Sequence, residues 1–158
     1  MKKLLPVAVL MALSTVGFSQ IKLGPSAAYI QPTGDLGDVY DPGFAIGANG
    51  VIKLAMLSVT GELAYTRFSG KEIASGFKSK STSLWSMTAG ARFGLPGPVY
   101  VGARLGYLFT DDDQSDSELI LLPEVGASLG KIDVNLGYQV LNDINYMNLR
   151  VVYYIIGG

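Results

Sequence analysis

The feature that most constrains this chain is a strict alternation of apolar and polar residues near its C-terminus. Between Lys131 and Val140 every second residue is apolar, and the residues between them are polar or glycine. After a polar break at residues 142–145, apolar residues again occupy every second position from Met147 to Ile155. A period of two indicates β-strands with two different faces, and their short connection indicates a hairpin. Each run has about ten residues, the length at which a tilted strand crosses a bilayer.

The same period recurs in six earlier segments, so the sequence predicts eight strands. The six earlier segments are residues 21–30, 44–54, 57–67, 83–94, 99–109 and 119–129. The connections between the strands alternate between long and short, which is typical of up-and-down membrane barrels with short periplasmic turns and longer outer loops. We therefore predict an all-β fold, an eight-stranded antiparallel up-and-down transmembrane β-barrel with both termini on the periplasmic side.

Composition supports a membrane-facing barrel. Hydrophobic residues make up 49% of the chain and charged residues 16%, whereas soluble domains carry about 25% charged residues. The apolar rows contain no charge except Arg67 at a strand end, and a charge at mid-depth on a lipid face costs about 2–4 kcal/mol. The alternative is a soluble, lipocalin-like lipid-binding barrel with its apolar rows inside. The other rows carry roughly one charge per strand, which is too few for a soluble surface.

The N-terminus has the layout of a secretory signal peptide. A basic head at Lys2 and Lys3 precedes an apolar stretch over residues 4–16, and small residues precede a cleavage site between Ser19 and Gln20. The apolar stretch is too short for a membrane-spanning helix, which needs about twenty residues. We expect residues 1–19 to be removed and residues 20–158 to form one exported barrel domain.

The composition argues against several classes of function. The chain has no His and no Cys, so the usual general base and all thiol chemistry are missing. No local spacing marks a nucleophile, and no cofactor or metal site is predicted. The net charge of −1 argues against a nucleic-acid partner. We therefore expect a protein that is not an enzyme.

Two segments and the strand pattern together carry a family resemblance. The segment PTGDLGDVYDPGFAIGANG opens into the second strand, and the last strand reads YMNLRVVYYII. Over residues 20–156 the chain resembles the small outer-membrane β-barrel family that includes the OmpA transmembrane domain, OmpX and the opacity proteins. The resemblance implies a place in the outer membrane of a Gram-negative bacterium, contact with membrane lipid and lipopolysaccharide, and insertion by the barrel-assembly machinery. Family members usually end on an aromatic residue, whereas this chain ends Ile155-Ile156-Gly157-Gly158.

The predicted interior contains charged residues that must be paired. An eight-stranded barrel is just wide enough for its own side chains to fill. Glu62, Arg104, Glu124 and Arg150 face inward near mid-depth, and an unpaired buried charge is costly, so we predict a lumenal salt-bridge cluster. Three polar residues are expected to complete its hydrogen bonds: Ser26, Asn49 and Asn135. We interpret the cluster as a structural plug; the alternative is a narrow channel for small solutes.

The loops are the predicted surface for ligands, over residues 31–43, 69–82 and 111–118. The last of these has five carboxylates in eight residues, which could hold Ca²⁺, but it lacks the glycine and distal glutamate of an EF-hand loop, so a solvated acidic loop is favoured. The middle loop is basic through Lys71, Lys78 and Lys80, and its candidate partners are lipopolysaccharide phosphates or the acidic loop.

Aromatic residues near the strand ends predict girdles at the two membrane interfaces. At the outer ends these are Tyr29, Tyr65, Trp85, Tyr107, Phe109 and Tyr146, and at the inner ends Phe93 and Tyr153.

Overall fold

The computed structural model describes residues 21–34, 37–38, 40–70, 72–74, 77–78, 81–110, 117–140 and 145–157. The predicted signal peptide, residues 1–19, lies outside the described residues. Within the described part of the chain, no helix is both long and apolar enough to cross a membrane.

The described residues form ten strands, eight of which close into a barrel. In chain order they are β1 (Ile21–Thr33), β2 (Gly43–Leu54), β3 (Leu57–Phe68), β4 (Glu72–Ala74), β5 (Phe77–Lys78), β6 (Thr82–Gly94), β7 (Val99–Thr110), β8 (Glu118–Leu129), β9 (Ile132–Gln139) and β10 (Asn145–Tyr153). The order around the barrel is β1-β10-β9-β8-β7-β6-β3-β2, and all pairs are antiparallel. The predicted eight-stranded up-and-down barrel is confirmed.

One predicted loop contains additional structure. Strands β4 and β5 pair with each other inside the segment 69–82, which the sequence predicted to be only a polar connection. These strands have three and two residues, which is too short for a period of two to be recognised.

The barrel closes where its first strand meets its last. Strand β1 pairs with β10 from Ser26↔Val152 to Thr33↔Asn145. Beyond that ladder, the Leu23 amide donates to the carbonyl of Ile156 at 3.2 Å. Closure leaves the barrel sheet without a free edge, which a structure in lipid requires because the hydrocarbon offers no partner for backbone N–H and C=O groups.

The two ends of the barrel differ in the length of their connections. The short-turn end carries the turns at residues 55–56, 95–98 and 130–131, and the long-loop end carries the connections 34–42, 69–81, 111–117 and 140–144. The short turns use left-handed backbone conformations at Gly97 (φ 86°), Gly130 (φ 64°) and Ala55 (φ 56°). The lengths therefore alternate around the barrel as predicted.

The barrel wall has its apolar side chains outside and its polar side chains inside, which is the reverse of a soluble protein. Large apolar side chains point outward, such as Leu63 (50% exposed) and Leu105 (54% exposed), whereas Asn49 and Arg104 are fully buried inside. An apolar exterior around a polar interior is the arrangement of a transmembrane barrel. The lipocalin-like alternative is wrong, because it required the apolar rows to be inside.

Two inward glycines allow arginine side chains to lie flat against the wall. Gly90 is opposite Arg104 in the β6–β7 ladder, and Gly102 is opposite Arg92. A Cβ atom on Gly90 would lie 2.1 Å from the Ala103 carbonyl oxygen and 2.6 Å from Arg104 Cγ. Such contacts are far inside van der Waals distance, so a side chain at Gly90 would displace both the strand and the arginine.

Gly90→Ala is therefore expected to lower the free energy of unfolding by about 1–3 kcal/mol, the usual cost of overpacking. Gly61→Ala is the matched control, because a Cβ there faces outward with its nearest atom, the Thr88 carbonyl oxygen, at 3.8 Å. Urea unfolding of the refolded barrel in detergent, followed by the fluorescence of the single Trp85, measures both variants. Equal stability of the two would contradict the packing argument.

Candidate functional site

A ladder of six charged side chains with alternating sign crosses the middle of the barrel. Each member comes from a different strand, and neighbours in the ladder form ion pairs. In order they are Arg150 on β10, Glu62 on β3, Arg104 on β7, Glu124 on β8, Arg92 on β6 and Asp133 on β9. We call this set the charge ladder.

Arg104 is the central member of the charge ladder. Its Nη1 donates to Glu62 Oε2 and its Nη2 donates to Glu124 Oε2. The planar guanidinium can serve two carboxylates at once, which a lysine ammonium cannot do with the same geometry. Glu62 also has Arg150 beside it, with Arg150 Nη1 3.0 Å from Glu62 Oε2. Both carboxylates are therefore neutralised although they are buried.

Arg92 extends the ladder toward the short-turn end. Its Nε donates to Glu124 Oε1 at 2.7 Å, and its Nη1 donates to Asp133 Oδ2 at 3.4 Å. The Tyr100 hydroxyl donates to Asp133 Oδ1 at 2.6 Å. The Arg92 guanidinium carbon also lies 4.5 Å from the centroid of the Tyr100 ring, within the range of a cation–π interaction.

The structure brings together the four residues that the sequence singled out, Glu62, Arg104, Glu124 and Arg150. Ser26 Oγ and Asn49 Nδ2 each donate to Glu62 at 3.2 Å, whereas Asn135 Nδ2 donates to Asp133 at 3.4 Å.

Sequence reasoning missed the part of the ladder that Arg92, Asp133 and Tyr100 form. A criterion of charge near mid-depth leaves them out, because these three residues lie nearer the short-turn end. Their inward position in the alternation was the signal that could have identified them.

A second layer fills the interior on the long-loop side of the ladder. It consists of buried apolar side chains, and we call it the apolar layer: Ala28, Ile30, Ala45, Phe68, Leu84, Leu108, Ile120, Leu122 and Tyr146. Phe68 is 1% exposed, and its ring centroid is 6.3 Å from that of Tyr146. Tyr40 packs over Phe68 from the loop above, at 6.1 Å between ring centroids.

The loop residues above the apolar layer are held by backbone contacts. Tyr40 forms an isolated β-bridge with Gly70, and the Asp41 amide donates to the Ser69 carbonyl at 3.0 Å. The connection between β1 and β2 is thereby joined to the one that follows β3.

Seven of the eight predicted girdle aromatics lie on the outward rows: Tyr29, Tyr65, Trp85, Tyr107, Phe109, Phe93 and Tyr153. Tyr65, Trp85 and Phe109 sit side by side across three strands.

Tyr146 does not belong with these aromatics, because its side chain is only 6% exposed and packs in the apolar layer. It shares the inward face of β10 with Arg150, four residues further along the strand.

The predicted ligand loops lie partly outside the described residues. Of the acidic segment 111–118, only Ser117 and Glu118 are described, and Lys71 and Lys80 are not. Among the residues that are described, no three or more acidic, His or Cys side chains form a group that could hold a metal ion. Calcium binding by the acidic segment remains a prediction.

Arg104→Met is expected to lower the free energy of unfolding by about 3–5 kcal/mol, because Glu62 and Glu124 lose the guanidinium that they share. Adding Glu62→Gln to this variant is expected to recover part of the loss, since one of the two uncompensated carboxylates becomes neutral. Equilibrium unfolding in urea of the two single variants and the double variant measures the coupling. Strictly additive effects would show that Glu62 and Arg104 do not stabilise each other.

Comparison with solved structures identifies proteins that share this fold. No protein-family model matches the sequence, and no curated protein gives a significant match. Among solved structures, the crystal structure of Neisserial surface protein A (NspA) aligns with a TM-score of 0.56 and 20% identity, over 87% of this chain and 97% of that one. The Yersinia pestis outer membrane protein Ail, solved in a phospholipid bilayer nanodisc, aligns with a TM-score of 0.55 and 19% identity, over 85% and 99%. The resemblance to small outer-membrane barrels is thus confirmed for the fold.

Proposed function

We propose that this chain is a small integral outer-membrane barrel of a Gram-negative bacterium, with a sealed interior and a non-enzymatic role at its long-loop end. That role is envelope integrity or interaction with surface ligands. The two structural neighbours support the setting, because one is named a surface protein and the other an outer membrane protein. In this proposal residues 1–19 are cleaved, the barrel-assembly machinery inserts the mature chain, and both termini face the periplasm.

The observation that carries the proposal is the double filling of the interior. The charge ladder runs from mid-depth toward the short-turn end, and its three positive and three negative groups cancel. The apolar layer above it is lined by side chains such as Phe68 and Ile30, which are almost fully buried. An apolar constriction excludes water and hence hydrated ions. A solute would have to displace both layers, which argues against the narrow-channel alternative.

The interior also offers little for catalysis. The three ladder carboxylates, Glu62, Glu124 and Asp133, each pair with arginine. A carboxylate held in this way is a poor general base, and the chain has no His to take that role. We therefore assign no enzymatic activity to this barrel.

The long-loop end is the remaining surface on which a partner could bind. The Tyr40–Gly70 bridge and the Asp41–Ser69 hydrogen bond join two of its connections, and β4 and β5 add a hairpin. Joined loops present side chains at lower entropic cost than free loops do. Lipopolysaccharide is one proposed partner there, through the basic loop 69–82, and a surface ligand at loops 31–43, 69–82 and 111–118 is another.

Single-channel recording tests the sealed interior. The refolded mature protein in a planar bilayer is expected to show no discrete conductance steps. Glu62→Gln/Glu124→Gln, which discharges two of the three ladder carboxylates with little change in size, is also expected to stay closed, because the apolar layer is unchanged. Steady conductance by the wild-type protein would contradict the proposal and favour a channel in which the ladder residues select the ions.

The absence of cysteine allows a clean test of location and orientation. Ser117→Cys places a thiol at the long-loop end, and Lys131→Cys places one at the short-turn end; both positions are exposed. A maleimide attached to a polymer too large for porins is expected to label Ser117→Cys in intact cells, and Lys131→Cys only after the outer membrane is permeabilised. The unsubstituted chain is the control and stays unlabelled. Labelling of Lys131→Cys alone in intact cells would reverse the assigned orientation.

A further inference from the structure

The interior is open on the short-turn side of the charge ladder. Between the ladder and the short turns lies a cavity of about 170 Å³. Arg92, Tyr100 and Asp133 of the ladder region line it, together with Tyr154. Lys22 and Lys53 also line this cavity, and we call it the basic vestibule. One water takes about 30 Å³ in the liquid, so the vestibule has room for a small polyatomic ion.

The basic vestibule carries a surplus of positive charge. The charge ladder is balanced, but Lys22 and Lys53 add two ammonium groups, and neither forms an ion pair within the described part of the chain. Lys22 is 8% exposed and its Nζ donates to the Gly130 carbonyl at 2.8 Å, with the Tyr154 ring centroid 5.2 Å away. A carbonyl and a ring face solvate an ammonium group without neutralising it. The surplus therefore favours an anion in the cavity.

Arg92 forms part of the vestibule wall. Its side chain is 4% exposed, and its Nε and Nη1 are engaged by Glu124 and Asp133. Its third nitrogen, Nη2, forms no hydrogen bond of good geometry among the described residues, although the Tyr154 hydroxyl also interacts with the guanidinium. Nη2 is itself shielded from solvent, so Arg92 contributes positive charge to the cavity wall, and its third nitrogen meets an acceptor oxygen only when the side chain shifts toward the cavity.

We propose that the basic vestibule is a binding site for a phosphate group, held by the ammonium groups of Lys22 and Lys53 beside the Arg92 side chain. A phosphate matches this set better than a halide ion, because several acceptor oxygens can each face a different donor. The outward aromatics Phe93 and Tyr153 mark the membrane interface at this end, so the headgroups of that leaflet lie at the depth of the vestibule. The phosphate comes from such a lipid headgroup or from free phosphate in the surrounding compartment.

Isothermal titration of the full mature barrel with inorganic phosphate, in an uncharged detergent, tests the site. We expect saturable binding to one site per chain that weakens as ionic strength rises. Lys22→Gln/Lys53→Gln is expected to weaken binding by more than about tenfold, since the charge-assisted hydrogen bond of the buried Lys22 alone is worth about tenfold. Lys53→Gln alone removes an exposed charge outside the ladder, keeps the fold, and is expected to weaken binding several-fold.

Lys131→Gln is the matched control. Lys131 is exposed at the same end of the barrel but does not line the vestibule, so its loss is expected to leave the affinity unchanged. A heat-dependent mobility shift in SDS gels confirms that each variant is folded before it is titrated.

A second titration, with short-chain phosphatidylglycerol, separates the two sources of phosphate. If the lipid displaces phosphate, or binds when phosphate does not, the headgroup is the ligand; if only inorganic phosphate binds, the source is free phosphate. Short-chain phosphatidylcholine shows whether a negative net charge is needed. Absence of binding by all three, or equal weakening by Lys53→Gln and Lys131→Gln, would overturn the proposal. Neither result would bear on whether the barrel conducts ions or on the role of its long loops.

Discussion

The structure depends on one buried guanidinium. Arg104 is fully enclosed at mid-depth and neutralises two acids on two other strands, Glu62 and Glu124. Removing three charged groups from water is very unfavourable unless their geometry lets them compensate one another. The wall supplies that geometry through Gly90, which lets the arginine stem lie against β6. The interior of this barrel is thus specified by polar complementarity, whereas its apolar residues face the hydrocarbon.

The layering of the interior follows from the same constraint. The ladder requires a dry boundary on at least one side, because water entering from both ends would screen its ion pairs. The apolar layer provides this boundary toward the long loops, with Phe68 and Tyr146 at its centre. On the opposite side, Lys22 and Lys53 leave the interior open and basic. The two halves of the lumen therefore have different chemistry, and we propose different roles for them.

The sequence predicted the wall better than the contents of the lumen. Alternation determines which residues face lipid, because a shift of one residue would place every apolar side chain on the wrong face. The same alternation places Asp133 and Arg92 on the inward face, but a criterion of charge near mid-depth leaves them out. The prediction for Tyr146 was wrong for a related reason. It used the position of Tyr146 near a strand end, whereas the even spacing between Tyr146 and Arg150 places both side chains on the inward face. Which acid meets which base could not be predicted, since it depends on the stagger between strands that are distant in sequence.

The position of Arg150 has a consequence for biogenesis. This arginine lies on the last barrel strand and its partner Glu62 lies on β3, while β10 also completes the ladder of β1. When β10 pairs with β1, Arg150 is also placed beside Glu62. Both contacts therefore require the C-terminal strand to be in place. A truncated chain keeps an open strand edge together with an undercompensated acid. The Arg150–Glu62 contact thus couples the last ion pair of the charge ladder to closure of the barrel seam.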